Sequence, residues 1–106
     1  VTKKVRFLWS ARLEFLEAID YYERHAEGVG LRFADAVDVV VEHLPSLRLK
    51  AMKGYESYGA FRREIGKPWP YRVVVIEHDE TLFIIAVEHH KRLPGYWTSR
   101  MGELDD

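Results

Sequence analysis

Two apolar and β-branched runs, Tyr71–Glu77 and Thr81–His89, are separated only by His78-Asp79-Glu80. Residues of this type favour strands, and a link this short can join only antiparallel neighbours. The chain must therefore fold around a hairpin. A lone hairpin is marginal in water and needs further strands and an apolar layer laid over one face. A third run, Ala60–Ile65, precedes the pair and supplies the next strand. Pro68 and Pro70 sit between these runs, where no ladder donor is needed.

The covering layer is legible upstream. Apolar residues at 11, 15, 18, 19, 22 and 26 have helical spacing, and Phe33, Ala34, Val37, Val40, Val41 and Leu44 form a second stripe. Gly28-Val29-Gly30 separates the two helices and Pro45 stops the second. Helices joined by so short a link pack as antiparallel neighbours. Ser10 is placed as the N-cap of the first helix. Before it, Val5, Phe7 and Trp9 alternate and read as a first strand over Lys3–Trp9. Residues 46–60 read as a loop, the segment after Pro94 as a short helical turn, and Gly102–Asp106 as a fraying end. The expected fold is α+β, in the order β-α-α-β-β-β. A helix hairpin packs on one face of a mainly antiparallel sheet, in one domain over 1–106, and the other face is left for partners.

Charge is uneven although the net value is only −1. Residues 1–47 hold six basic and eight acidic residues, 48–72 hold seven and two, and 73–106 hold three and seven. A protein that binds free nucleic acid usually presents a wide positive surface. Here the positive charge is local, so a protein partner is expected and direct binding of free nucleic acid is not. There are no cysteines, which removes disulfides, thiolate metal sites and cysteine nucleophiles. The longest apolar run, Leu82–Val87, is far shorter than the ~20 residues of a membrane span. The basic N-terminal stretch does not read as a secretory leader, so a cytoplasmic location without membrane attachment is expected.

Several motifs have bland readings that outweigh their chemical ones. Gly28-Val29-Gly30 lacks the preceding strand and third glycine of a nucleotide loop, and reads as a helix–helix turn. Glu14, Glu17, Asp20, Glu23 and Glu27 read as a solvated helix face. His89 and His90, adjacent on a strand, point to opposite faces and cannot readily share a metal. No metal site and no cofactor are expected. Arg62, Arg63, Arg72, Lys91, Arg92 and Arg100 are more informative, because the strand order lets them converge on one edge of the sheet. Arginine and aromatic side chains together are typical of binding hot spots.

In their order, these residues resemble the RelE/ParE toxin superfamily of bacterial type II toxin–antitoxin systems, and its ParE-like branch in particular. The resemblance runs from about Val5 to Arg100. It is carried by Ala11, Glu17-Ala18 and Tyr21-Tyr22-Glu23, then by Gly28 to Phe33 and Ala36-Val37. Paired arginines follow at Arg62-Arg63, then Trp69-Pro70-Tyr71, Ala86-Val87 and His89. The closing pattern Arg-x-Pro-x-Tyr-Trp-x-x-Arg falls on Arg92, Pro94, Tyr96-Trp97 and Arg100.

The resemblance implies the same β-α-α-β-β-β fold. It also implies a toxin of a plasmid-stabilisation-like system, held in a hetero-oligomer by an antitoxin whose flexible segment wraps it. ParE-like toxins imply non-catalytic inhibition of DNA gyrase, with Arg62, Arg63, Arg72, Arg92 and Tyr96 as target-binding residues. RelE-like relatives imply instead a ribosome-dependent mRNA endonuclease, which would draw on Arg63, Arg72, His89, Arg92 and Tyr96. A third possibility is a degenerate member that binds its antitoxin and poisons nothing. Within the tail, His89, Pro94 and Trp97 are expected to anchor the chain to the sheet, while Arg92 and Tyr96 face a target. On this view, truncation after Leu93 leaves a folded domain.

Overall fold

The computed structural model describes residues 3–105. Strand β1 (Lys4–Phe7) leads into helix α1 (Trp9–His25) and helix α2 (Val29–His43), and a single 3-10 turn, Leu44–Ser46, follows. Then come β2 (Lys50–Ala51), a second turn (Glu56–Tyr58), β3 (Ala60–Glu64), β4 (Tyr71–His78), β5 (Thr81–His89) and a 3-10 tail, Tyr96–Asp105. The α+β class and the β-α-α-β-β-β order hold, with the two-residue strand β2 added inside the segment expected to be loop. The sheet order is β1-β5-β4-β3-β2; β1 runs parallel to β5 and every other pair is antiparallel. No helix among the described residues is long and apolar enough to cross a membrane.

The β4–β5 hairpin turns on two residues, Asp79 and Glu80, with His78 opposite Thr81. Both central residues are left-handed, at φ 50° and 61°. That backbone matches the twist of the flanking strands, although Asn-Gly or Asp-Gly adopts it at lower cost. Farther along, Val74 faces Ala86 and Val75 faces Ile84, which leaves Ile85 as the extra residue of a bulge. An interior position explains the unbroken apolar run in β5: β4 pairs along it, β1 reaches as far as Ile84, side chains close the remaining edge and layers cover both faces, so Ile84–Val87 are all buried.

One face of the sheet carries the helix hairpin. Phe7 stacks on Phe15, and Phe33 meets Phe15, Tyr22, Trp69 and Tyr71 in an aromatic cluster. The hairpin closes tightly because Gly30 lies against α1; a Cβ there would come within 2.5 Å of the Ile19 carbonyl. The turn is pinned by Glu23, whose carboxylate accepts the N–H groups of Gly28 (2.9 Å) and Gly30 (3.0 Å) at the start of α2. These are donors the helix cannot satisfy itself. Glu23 is thus a capping residue and not part of a solvated face.

The opposite face is not left open as expected. Trp97 is fully buried on that side, beneath Tyr55 and Tyr58 of the β2–β3 loop. Gly95 lets the tail approach, since a Cβ there would fall 2.5 Å from the Tyr55 hydroxyl. The end does not fray over the described residues. Glu103 accepts from the Ser10 backbone N–H (3.2 Å) and from its hydroxyl. Ser10 is therefore inside α1, which starts at Trp9 after extended Leu8, and a carboxylate from the tail caps the helix in its place. Asp106 lies outside the described residues.

The tail is a structural layer, contrary to the expectation that a chain cut after Leu93 would fold. Trp97→Ala should cost about 3–5 kcal/mol, the usual range for emptying a buried aromatic site. The indole N–H has no hydrogen-bond partner among the described residues, so Trp97→Phe, which keeps the ring packing, should cost clearly less. Urea denaturation of both variants checks the ranking. Truncation after Leu93 should abolish the cooperative transition.

Candidate functional site

Strand register sorts the candidate residues onto two faces. Arg62, Glu64, Arg72 and Glu88 share the face opposite the helices, because Glu64 pairs with Arg72 and Arg72 with Glu88. Arg63 pairs with Val73, and Tyr71 with His89, which places Arg63 and His89 on the helix side. The adjacent arginines Arg62 and Arg63 therefore diverge. The six cationic residues do not form one cluster.

On the first face the arginines are balanced. Arg72 Nη1 donates to buried Glu88 (2.8 Å), and Arg72 Nε donates to Glu64 (2.9 Å). Glu64 also takes Arg62 (3.1 Å) and His90 Nε2 (2.6 Å). Burial would raise the Glu64 carboxyl, but hydrogen bonds and charge from Arg72 and His90 outweigh it and hold the group below its ordinary range. Two guanidinium groups thus face two carboxylates. Arg72 in particular is a half-buried tie between β3, β4 and β5.

The second cluster lies at the edge of β5. Strand β1 covers β5 only as far as Ile84, where Leu8 N–H donates to the Ile84 carbonyl (3.0 Å). Beyond that point side chains replace the missing strand. Arg100 Nη1 donates to the Ile85 carbonyl (2.9 Å), and Glu14 accepts the Val87 N–H (2.9 Å). Glu14 and Arg100 pair with each other at 2.9 Å, and the Tyr96 hydroxyl donates to the second Glu14 oxygen. Burial, then that hydrogen bond, push the Tyr96 phenol far above its ordinary 10.0. The Tyr96 ring lies under two cations, with the Arg92 guanidinium 4.0 Å and that of Arg100 5.1 Å from its centre. Such stacking orders an exposed arginine.

His89 sits edge-on to Tyr71, 5.0 Å between ring centres, and its Nδ1 accepts the Lys91 N–H (3.0 Å). Burial first, then the charges of His90 and Lys91, lower its pKa and keep the ring neutral at physiological pH. No group of three or more His, Asp or Glu side chains among the described residues could hold a metal ion. Beyond the two clusters, Arg92 and Leu93 stand out in the exposed connection after β5, with Leu93 79% exposed.

The expectation that Glu14 lies on a solvated helix face is overturned, because it is largely buried against Arg100. Glu64 and Glu88, which hold Arg72, and Glu103, which caps α1 through Ser10, were not singled out by reading residues in order. Glu14 had a usable signal. It lies at the centre of the stripe Ala11, Glu14, Phe15, Ala18, where i, i+3, i+4 and i+7 share one helix face, so a carboxylate there must face the core.

This fold, with a basic edge and a tail docked by arginine, tyrosine and tryptophan, is the one that the resemblance to RelE/ParE toxins implies. The chain matches the family model of the ParE toxin of the type II toxin–antitoxin system parDE over residues 5–94 and belongs to that family. No curated protein matches the chain. Membership makes an antitoxin the natural partner.

Two tests probe the site. Glu14→Ala leaves the Arg100 charge and the Val87 N–H without their acceptor in a largely buried setting, and should cost about 3 kcal/mol or more by analogy with broken buried pairs. The readout is the urea midpoint, with Glu14→Gln expected to fall between it and the parent. The Glu64 carboxyl is depressed in the folded chain, so its contribution is fully present above its ordinary pKa of 4.5 and is lost as pH falls through the lower folded value. The stability gap between the parent chain and Glu64→Gln should therefore be open at pH 7 and close as the solution is acidified below 4.5. A gap that persists unchanged at low pH would contradict the assigned pairing.

Proposed function

We propose that the chain is a toxin that inhibits DNA gyrase by binding it, without catalysing a reaction, and that a cognate antitoxin neutralises it. The support comes from the condition of the groups a nuclease would need. Cleavage of RNA at a 2′-hydroxyl requires a base, an acid and cationic stabilisation of the phosphorane. Tyr96 is committed to Glu14 and is a poor acid at its raised pKa. The charge on Arg72 is spent on Glu64 and Glu88. His89 is neutral, but it lies on the face opposite Arg72, with Nδ1 already accepting a backbone N–H. Arg63 and Arg92 make no ion pair with a carboxylate among the described residues, yet neither has a proton-transfer partner within hydrogen-bonding distance.

A binding role uses what remains. Arg92 and Leu93 present a cation and an apolar side chain on the exposed connection after β5, and Arg62 and Arg63 flank the basic edge. Arg72 and Tyr96 act as positioning residues: one ties the strands beneath the surface and the other supports Arg92. The family places the protein with toxins, and a surface of fixed cations suits a large protein target better than a small substrate.

Purified protein should lower gyrase supercoiling and raise the level of cleaved DNA complex. Arg92→Glu should weaken both effects about tenfold or more, the scale of an interface hot spot, while circular dichroism stays unchanged. His89→Ala should leave both effects intact. Ribosome-dependent cleavage of mRNA that disappears in His89→Ala would overturn the reading in favour of the nuclease. Robust growth on induction without antitoxin would favour a non-toxic, antitoxin-binding chain.

A further inference from the structure

The far edge of the sheet holds an open cleft of about 400 Å³. Arg48, Lys50, Arg62 and Arg63 line it, around Glu64 and the end of β3. Arg62 and Glu64 compensate each other at 3.1 Å. Arg48, Lys50 and Arg63 make no ion pair among the described residues. Arg63 is nevertheless fixed, since its Nη1 donates to the Arg48 carbonyl at 3.1 Å. Lys50 lies opposite Arg62, where the pairing of β2 with β3 ends, so Arg63 and Glu64 pair only with β4 and the cleft stays open along the edge.

Three uncompensated cations line one open edge, Lys50 from the Arg62 face and Arg63 from the helix side, and call for a polyanion. A peptide is poorly served, because Ile65 is the one apolar side chain in the lining and offers no socket for an anchor. Single-stranded nucleic acid is poorly served too, because no aromatic ring lines the cleft to stack a base. The regular phosphates of a duplex need neither: guanidinium groups engage them bidentately and without reading sequence. We infer that the β2–β3 cleft is a sequence-independent contact for the backbone of duplex DNA. This deepens the gyrase reading and rests on it for its biological setting, since gyrase acts on duplex DNA. The contact itself is set by charge. Three phosphates give weak binding on their own, in keeping with the small net charge of −1 and with the expectation that free nucleic acid is not the main partner.

The test is fluorescence anisotropy of a labelled DNA duplex titrated with the full chain at several salt concentrations. Three released counterions should reduce affinity about sixfold for each doubling of salt. Each of Arg48→Ala, Lys50→Ala and Arg63→Ala should lower the log–log salt slope by about 0.9, and the triple variant should not bind. Arg6→Ala and Arg12→Ala, exposed cations on β1 and α1, should change nothing. The inference is overturned by absence of duplex binding at the lowest salt, or by a triple variant that binds like the parent. Tighter binding of a single strand, or equal binding of poly-glutamate with the same variant dependence, overturns it as well. The gyrase assay separates the two proposals: duplex binding without gyrase inhibition removes the gyrase reading alone, and gyrase inhibition without duplex binding removes the cleft alone.

Discussion

The carboxylate of Glu14 is the interaction on which the rest of the molecule depends. Strand β5 lies inside the sheet, but its neighbour β1 gives out at Phe7, when the chain turns into α1. The exposed ladder groups of β5 beyond Ile84 would be costly if simply covered over. Glu14 answers the Val87 donor and Arg100 the Ile85 acceptor, and the two side chains neutralise each other. One carboxylate thereby joins helix α1, strand β5 and the tail. Tyr96 completes the arrangement, and its bond to Glu14 brings the following Trp97 to its buried place.

The same economy explains why the basic residues are not equivalent. An arginine in a partly buried sheet must be paired, because a lone buried charge costs far more than any contact returns. Arg72 meets that condition with two carboxylates and Arg100 with one. Cations at the rim face no such demand: Arg48, Lys50, Arg63 and Arg92 remain in solvent without a counter-ion among the described residues. Arginine count therefore overstates the surface free to bind, and burial decides which members are available.

Architecture was readable because it rests on local signals. The spacing of Phe33, Val37 and Val41, the stop at Pro45 and the three-residue link after Glu77 each dictate an element without reference to the rest. The strand β2 escaped because two residues carry no period. The tail was misjudged for a different reason. Sequence shows that Trp97 is large and apolar; what buries it is a platform of Tyr55 and Tyr58, some forty positions earlier. Likewise Glu64 and Glu88 look like ordinary strand charges until the register sets both beside Arg72. Long-range pairing of this sort has no local signature, whereas Glu14 had one in its place on the buried stripe of α1.

Closing part of β5 with side chains also decides what the sheet can offer a partner. A strand added there would have to displace the Glu14–Arg100 pair. The two edges left are short and basic: β1 carries Lys4 and Arg6, and β2 carries Lys50 beside Arg48. Short strands with lysine and arginine resist pairing with a second copy of themselves, since like charges would meet along the edge. The helices hold seven of the seventeen acidic residues, among them Glu17, Asp20, Asp35 and Glu42, and so carry part of the charge that balances the whole to near neutrality. Repulsion between copies and attraction of an acidic partner follow from the same distribution. The positive charge that disfavours edge-to-edge strand pairing is also what an anionic ligand would find at the rim.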